Sequence, residues 1–376
     1  MRQSLHFDLD SYKDKSYGTH NFHPYPAKFV PQIPRQLIEI FTKVDDRVLD
    51  PFCGSGTTLV EALSLGRNCV GFDVNDLAVL ISRVKTTPLS EEVLKKAEVI
   101  ALSVKQEFAK FVTTSTPPPQ IFNIEKWFSS NMIYELTLIR EFIDKCEESF
   151  ELKNFLKVAF AYAVGRASNQ ESDTVYRAIE KFHAPGVAID SFCTRVVVMA
   201  NRMREFSPAL QRAHCLIERR DITANAGWES GSIDAVVTSP PYLNSYDYYL
   251  YHKHRMAWLG IDHVPIQREE LGSRNKHNDH GHGVDKYVEA INLQLLNVHP
   301  LLKDGAVYCC VVGDGILRGE FHAADQMFDP LFKALRYKKI DHFRFEQRKY
   351  TRAFTPRQRT AHKETHILVY KKTTAK

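Results

Sequence analysis

Five short apolar runs recur along this chain, each ending in an acidic or small residue: RVLDPF (47–52), NCVGFDV (68–74), HCLIERRDI (214–222), DAVVTSP (234–240) and AVYCCVVGD (306–314). Strands covered on both faces lose the apolar–polar alternation, so runs of this kind separated by helical patterns predict a parallel sheet between helices. Near the C-terminus, YKKIDHFRFEQRKY and ETHILVYKK read as the two strands of an antiparallel hairpin. The expected fold is α/β: a seven-stranded Rossmann-like sheet, mostly parallel, closed by an antiparallel C-terminal hairpin.

Residues 86–212 interrupt this series. The interruption is helical to about Val112, crosses the stiff linker TTSTPPPQ (113–120), and continues as several helices without clear strands, GRASNQESD (165–173) being its most polar break. That is too long for a simple βα crossover and reads as an inserted helical subdomain. The expected division is 1–85, 86–212 and 213–376. Seven cysteines lie mostly in apolar segments without C-x-x-C spacing, which predicts reduced, buried thiols and no zinc ribbon. No apolar run reaches the roughly 20 residues that span a bilayer, and the first residues lack the apolar centre of a secretory signal. A cytoplasmic protein without a membrane partner is expected.

LDPFCGSGTT places an acid at a strand end, then Gly54 and Gly56, then two threonines that open a helix. Glycines at such a corner let backbone approach a ligand, and the free amides of a helix start favour a negative group. No lysine follows Gly56, which disfavours a nucleoside-triphosphate loop, and Leu59 stands where a dinucleotide fingerprint needs its third glycine. Asp73 ends the next run, where a carboxylate can accept from ribose hydroxyls, and Asp221 ends the third. Each is individually compatible with a simple cap or loop aspartate; at successive strand ends, the acids Asp50, Asp73 and Asp221 line one crevice.

DPFCGSGTT, then GFDVN, then TSPPY at the end of the fourth run resembles the S-adenosylmethionine-dependent DNA amino-methyltransferases of the S-P-P-Y type. FHPYPAKFVPQIPRQLI (22–38) is similar to the segment of that family that covers the methionine end of the cofactor. The resemblance spans about residues 20–85 and 214–376, not the helical middle. It implies that Asp50, Phe52, Gly54 and Gly56 surround the methionine part of S-adenosyl-L-methionine, that Asp73 holds the ribose, and that Asp221 with Ile222 faces the adenine. Pro26, Lys28 and Phe29 would form the cofactor lid, although a Pro-rich helix entry yields the same letters.

Ser239, Pro240, Pro241 and Tyr242 would be the catalytic turn. An exocyclic base amine is a poor nucleophile because its lone pair is delocalised into the ring. Acceptors on its two hydrogens, the Ser239 hydroxyl and the Pro240 carbonyl, turn that lone pair toward the methyl donor. Prolines hold the carbonyl rigidly. Tyr242 offers a ring face to a base flipped out of double-stranded DNA, stacking that is worth about 1–3 kcal/mol. Within the family, serine at the first position goes with N4 of cytosine and Asp or Asn with N6 of adenine, so cytosine is favoured and adenine stays open. RNA guanine-N2 enzymes share the fold but usually carry aspartate there. Neither Cys309 nor Cys310 follows a proline, as cytosine-C5 chemistry requires.

The formal net charge is +5, with Lys and Arg dense after Lys333. Candidate DNA contacts are Arg166, Asn169 and Gln170 in the insertion, Lys253 and Arg255 after the S-P-P-Y turn, and Arg348 and Arg352 near the end; a helical cap or dimerisation surface is the competing role for residues 86–212. RNKHNDHGHG (274–283) groups three histidines in a glycine-rich stretch, read as a loop that closes over DNA, and no metal is expected. No nuclease constellation is evident, so a restriction endonuclease acting with this chain would be a separate polypeptide. The recognition sequence and oligomeric state are not encoded in any motif found. A nucleic-acid-binding protein without activity is the reading from another class, and the intact Ser239, Tyr242, Asp73 and glycine turn argue against it.

Overall fold

The computed structural model describes residues 16–224, 227–274, 283–346 and 363–373. Seven strands form one sheet: β1 Arg47–Asp50, β2 Asn68–Asp73, β3 Cys215–Arg219, β4 Ile233–Thr238, β5 Leu302–Gly313, β6 Tyr337–Glu346 and β7 Glu364–Lys372. Their order across the sheet is β6-β7-β5-β4-β1-β2-β3. The five strands from β5 to β3 run parallel, with Val48 facing both Cys69 and Ala235 in register. β7 pairs antiparallel with β5 and with β6, as the hairpin reading required.

The helices of eight residues or more are α1 Gln32–Phe41, α2 Thr57–Ser64, α3 Asp76–Thr86, α4 Glu91–Ala109, α5 Ser130–Asp144, α6 Phe150–Ala167, α7 Val187–Leu210, α8 Val284–Val298 and α9 Ala324–Ala334. Side chains alternate across each strand, so consecutive apolar residues serve opposite cores. Val48, Cys69, Val237, Cys309 and Ile367 join the layer of α1 to α7, while Leu49, Val70, Val236, Cys310 and Leu368 join α8 and α9. Two cores explain why these strands read as unbroken apolar runs.

Residues 86–212 do not form a separate core. Leu136, Phe155, Val164, Phe192 and Met203 belong to the same apolar cluster as Val48 and Val237 of the sheet. The insertion is also not purely helical. An antiparallel hairpin, Gln170–Ser172 with Val175–Ala178, begins in the polar break and runs past it, with Ser172 facing Val175. Strands of three and four residues are too short to produce a clear period-2 signal, which is why the sequence reading missed them. All seven cysteines are free thiols. Among the described residues, no helix is long and apolar enough to cross a membrane.

Candidate functional site

The strand order reverses between β1 and β4, and an open α/β sheet offers its ligand crevice outside the carboxyl ends of the strands at such a switch point. A cavity of about 520 Å³ lies there, lined by Asp50, Phe52, Gly54, Asp73, Asp221 and Ile222 from one side and by Ser239 to Tyr242 from the other. That size is ordinary for a small-molecule site, about 300–1,000 Å³.

The glycine turn is built as its letters suggest. Gly54 and Gly56 sit at φ +49° and +79°, a region that L side chains rarely occupy. A Cβ on Gly56 would fall 2.9 Å from the Ser82 hydroxyl, so α3 packs against bare backbone. Asp73 locks the turn to the end of β2: its Oδ2 accepts from the Gly54 amide at 2.8 Å and its Oδ1 from the Asn75 amide at 2.9 Å. Burial pushes its carboxyl up to about 6, opposed by those two amides. Each oxygen retains a lone pair for a further donor.

Asp50 is more deeply buried and faces inward. Its Oδ1 accepts from the Phe52 amide at 3.1 Å and from the Thr238 hydroxyl at 2.7 Å, tying β1 to the last residue of β4. Burial pushes it up to about 6 as well. It therefore also braces the glycine turn against the residue that precedes Ser239. Asp221 lies two residues beyond β3, where its Oδ1 accepts from the Thr223 amide and hydroxyl at 2.9 and 2.7 Å. Asn297 of α8 holds the neighbouring loop by donating to the Ile222 and Thr223 carbonyls, both at 2.9 Å.

The S-P-P-Y turn is clamped from two directions. Tyr287 of α8 donates to the Pro241 carbonyl at 2.8 Å. Gly272, at φ +66°, passes so close that a Cβ there would stand 2.6 Å from the Tyr242 carbonyl oxygen. Burial pushes the Tyr242 hydroxyl up to about 12, opposed by the nearby Ser239 side chain. Tyr242 is thus a half-buried wall of the cavity, less exposed than its place after a strand suggested.

The segment proposed as a lid also lines the cavity, with Pro26, Lys28 and Phe29 all present. Lys28 Nζ donates to the His20 carbonyl at 2.9 Å and to Asn21 Oδ1 at 3.3 Å, holding the segment's own curve. Tyr25 was not foreseen. Its ring stacks on Tyr248 (5.6 Å between centroids, 17°) and on His252 (4.9 Å, 27°), fastening this segment to the residues after S-P-P-Y. Glu270, equally unforeseen, accepts from the Tyr248 and Tyr249 amides at 2.6 and 3.2 Å. Behind the glycine turn lies a buried network in which Glu61 meets His20 at 2.6 Å, Arg35 at 3.1 Å and Tyr17, while Lys85 donates to the Ser55 carbonyl at 2.7 Å. No local pattern marks these residues, because their partners lie 26 to 44 positions away.

The expected DNA contacts separate into three groups. Arg166 is exposed and Lys253 is half-exposed. Gln170 and Arg255 are not surface residues: Gln170 is buried and donates to the Ser172 and Tyr251 carbonyls at 2.8 and 3.3 Å. Arg255 is only 4% exposed and ion-pairs with Asp173, so it anchors the hairpin to the helices after S-P-P-Y. Asn169 is half-buried, with its Nδ2 donating to the Lys126 carbonyl at 3.2 Å. An Arg or Gln beside aromatic residues reads the same whether it faces DNA or a carbonyl; only packing separates the two. Arg348 and Arg352, and His277, His280 and His282, lie outside the described residues. The hairpin itself reaches the site, since Thr174 at its turn lines the cavity.

Glycines that admit close backbone, two strand-end carboxylates, and the apolar Phe52 and Ile222 fit the donors and flat base of S-adenosylmethionine. Residues 5–83 match a family model described as a DNA methylase. Among curated proteins, Type II methyltransferase M.MvaI of Kocuria varians is 30% identical over 247 residues, 60% of this chain and 54% of that one. The chain therefore spans about half the length of that relative. M.MjaII of Methanocaldococcus jannaschii is 24% identical over 405 residues, 82% of this chain and 74% of that protein. A tRNA (guanine(10)-N2)-dimethyltransferase of Methanothermobacter thermautotrophicus is 40% identical over 52 residues, 14% of this chain and 16% of that enzyme. The chain is thus similar to Type II DNA methyltransferases, over residues 5–83 by the family model and over longer stretches by these relatives.

Proposed function

We propose that this chain transfers a methyl group from S-adenosylmethionine to the exocyclic amine of a base flipped out of double-stranded DNA, at N4 of cytosine. The observation that carries this reading is the single cavity shared by the glycine turn with Asp73 and by the S-P-P-Y turn. The cofactor, when bound, supplies a methyl group on a positively charged sulfur. Every other part of the chemistry falls to the chain. Asp73 and Asp221 hold the ribose and adenine side. The Ser239 hydroxyl and the Pro240 carbonyl accept the two amino hydrogens, and Tyr242 packs against the base. Held by these acceptors, the amine would bond to the methyl carbon as the carbon–sulfur bond breaks, S-adenosylhomocysteine would leave as the neutral thioether, and the surplus amine proton would pass to solvent. The turn can stay rigid throughout because Tyr287 and Gly272 fix it from outside.

No cysteine nucleophile enters this scheme, and burial pushes both the Cys309 and Cys310 thiols well up. Cytosine is preferred over adenine on the serine at position 239, by the resemblance stated above. The test is transfer of a labelled methyl group from S-adenosylmethionine to DNA and to RNA, followed by identification of the modified nucleoside. N4-methylcytosine in DNA is the expected product; N6-methyladenine would correct the base, and label on RNA alone would remove the DNA reading.

A further inference from the structure

On the far edge of the sheet, His342 of β6 and His366 of β7 sit diagonally on one face, because His342 pairs with Leu368 and His366 with Arg344. Their rings lie 5.2 Å apart at 23°, and His342 Nε2 is 3.0 Å from His366 Nδ1. The other nitrogen of His366, Nε2, is 3.0 Å from Asp314 Oδ1. A buried carboxylate at that distance fixes the tautomer, with the proton on Nε2, and leaves a lone pair on Nδ1. Two facing imidazole nitrogens either share a proton or share an ion. Asp325 distinguishes the cases: its carboxylate, His342 and His366 each bring one ligand atom within 4.8 Å of the others. Among the described residues, Asp325 is otherwise held by its neighbouring Gln326 amide and by a loose 3.9 Å ion pair to Arg344.

We propose that His342, His366 and Asp325 bind a divalent transition-metal ion of the zinc type, with Asp314 orienting His366 from behind. Two imidazoles and one carboxylate suit zinc, and imidazole nitrogens about 2.0–2.1 Å from such an ion are roughly 3.3 Å apart at a tetrahedral angle, close to the spacing present. Carboxylate–histidine–metal chains are the usual way such a ligand is held. The ion would join β6, β7 and the first turn of α9. Asp314, whose oxygens also accept from the Ala324 and Glu364 amides at 2.9 Å, lines the cavity, so the ion would stiffen its wall without entering it. This inference does not rest on the methyl-transfer reading.

The test is titration of the chelator-treated full chain with Zn²⁺ against a chromogenic chelator, with Co²⁺ absorption as a second readout. The expected result is one tightly held ion per chain, bound about tenfold or more weakly by His342→Ala and about 10–100-fold more weakly by Asp314→Asn. A triple alanine variant at His277, His280 and His282 should bind as tightly as the parent. His342 is half-exposed on an edge strand, so its alanine variant should fold, and unchanged circular dichroism checks that. Equal zinc uptake by the parent and His342→Ala, or no uptake by the parent, overturns the proposal.

Discussion

The Tyr287 hydroxyl donates to the Pro241 carbonyl across 2.8 Å, joining α8 to the middle of the S-P-P-Y turn 46 residues earlier. The turn's rigidity therefore has an outside source as well as its two prolines. Tyr287→Phe keeps the packing and removes that bond. It should lower the rate of methyl transfer about tenfold while leaving cofactor affinity within about twofold, and should cost roughly 0.5–1.5 kcal/mol of stability. Single-turnover kinetics and calorimetric cofactor titration separate the two effects. Weakened cofactor binding would mean that Tyr287 serves the other half of the cavity.

Asp73 and Tyr242 line opposite sides of one cavity and should fail differently. Asp73→Ala removes the partner of the Gly54 amide and should weaken cofactor binding first. Tyr242→Ala should lose most transfer to duplex DNA, about 1–3 kcal/mol of base stacking, while cofactor binding survives. The readouts are a cofactor dissociation constant and transfer to a labelled duplex. Exchanged phenotypes would show the two halves to be misassigned.

Burial raises the Asp50 carboxyl to about 6 from an ordinary 3.8. Between those values the folded chain holds a proton that the unfolded chain has released, so the stability contribution is full below about pH 3.8 and is lost as pH rises through about 6. A shift of two units corresponds to roughly 3 kcal/mol at most. Asp50→Asn keeps an oxygen for the Phe52 amide and the Thr238 hydroxyl but does not titrate. Denaturant midpoints at a series of pH values should show the parent losing stability relative to the variant across this window; parallel curves would rule the contribution out.

Arg166 and Arg255 carry the same charge in opposite settings. Arg166 is exposed, so on the DNA-binding reading Arg166→Ala should reduce the salt dependence of duplex affinity by about one released counterion and leave stability nearly unchanged. Asp173→Ala strips the partner from the buried Arg255 guanidinium and should cost on the order of 1–3 kcal/mol with the salt slope intact. Binding titrations at several salt concentrations and a denaturation curve for each variant decide the matter.

The sheet, its seven strands and the crevice at Asp50, Asp73 and Ser239 were readable from the letters because each is a local pattern. A strand buried on both faces needs consecutive apolar residues, and a turn at positive φ needs glycine at a fixed offset from the strand. Tertiary structure alone decided the rest. Tyr25 on Tyr248, Tyr287 on Pro241, Glu270 under two amides, and Arg255 on Asp173 are contacts between segments from 21 to more than 200 residues apart. Their side chains have the same composition in a solvated loop as in a packed junction, and only the folded chain settles which hydrogen-bond partners replace water.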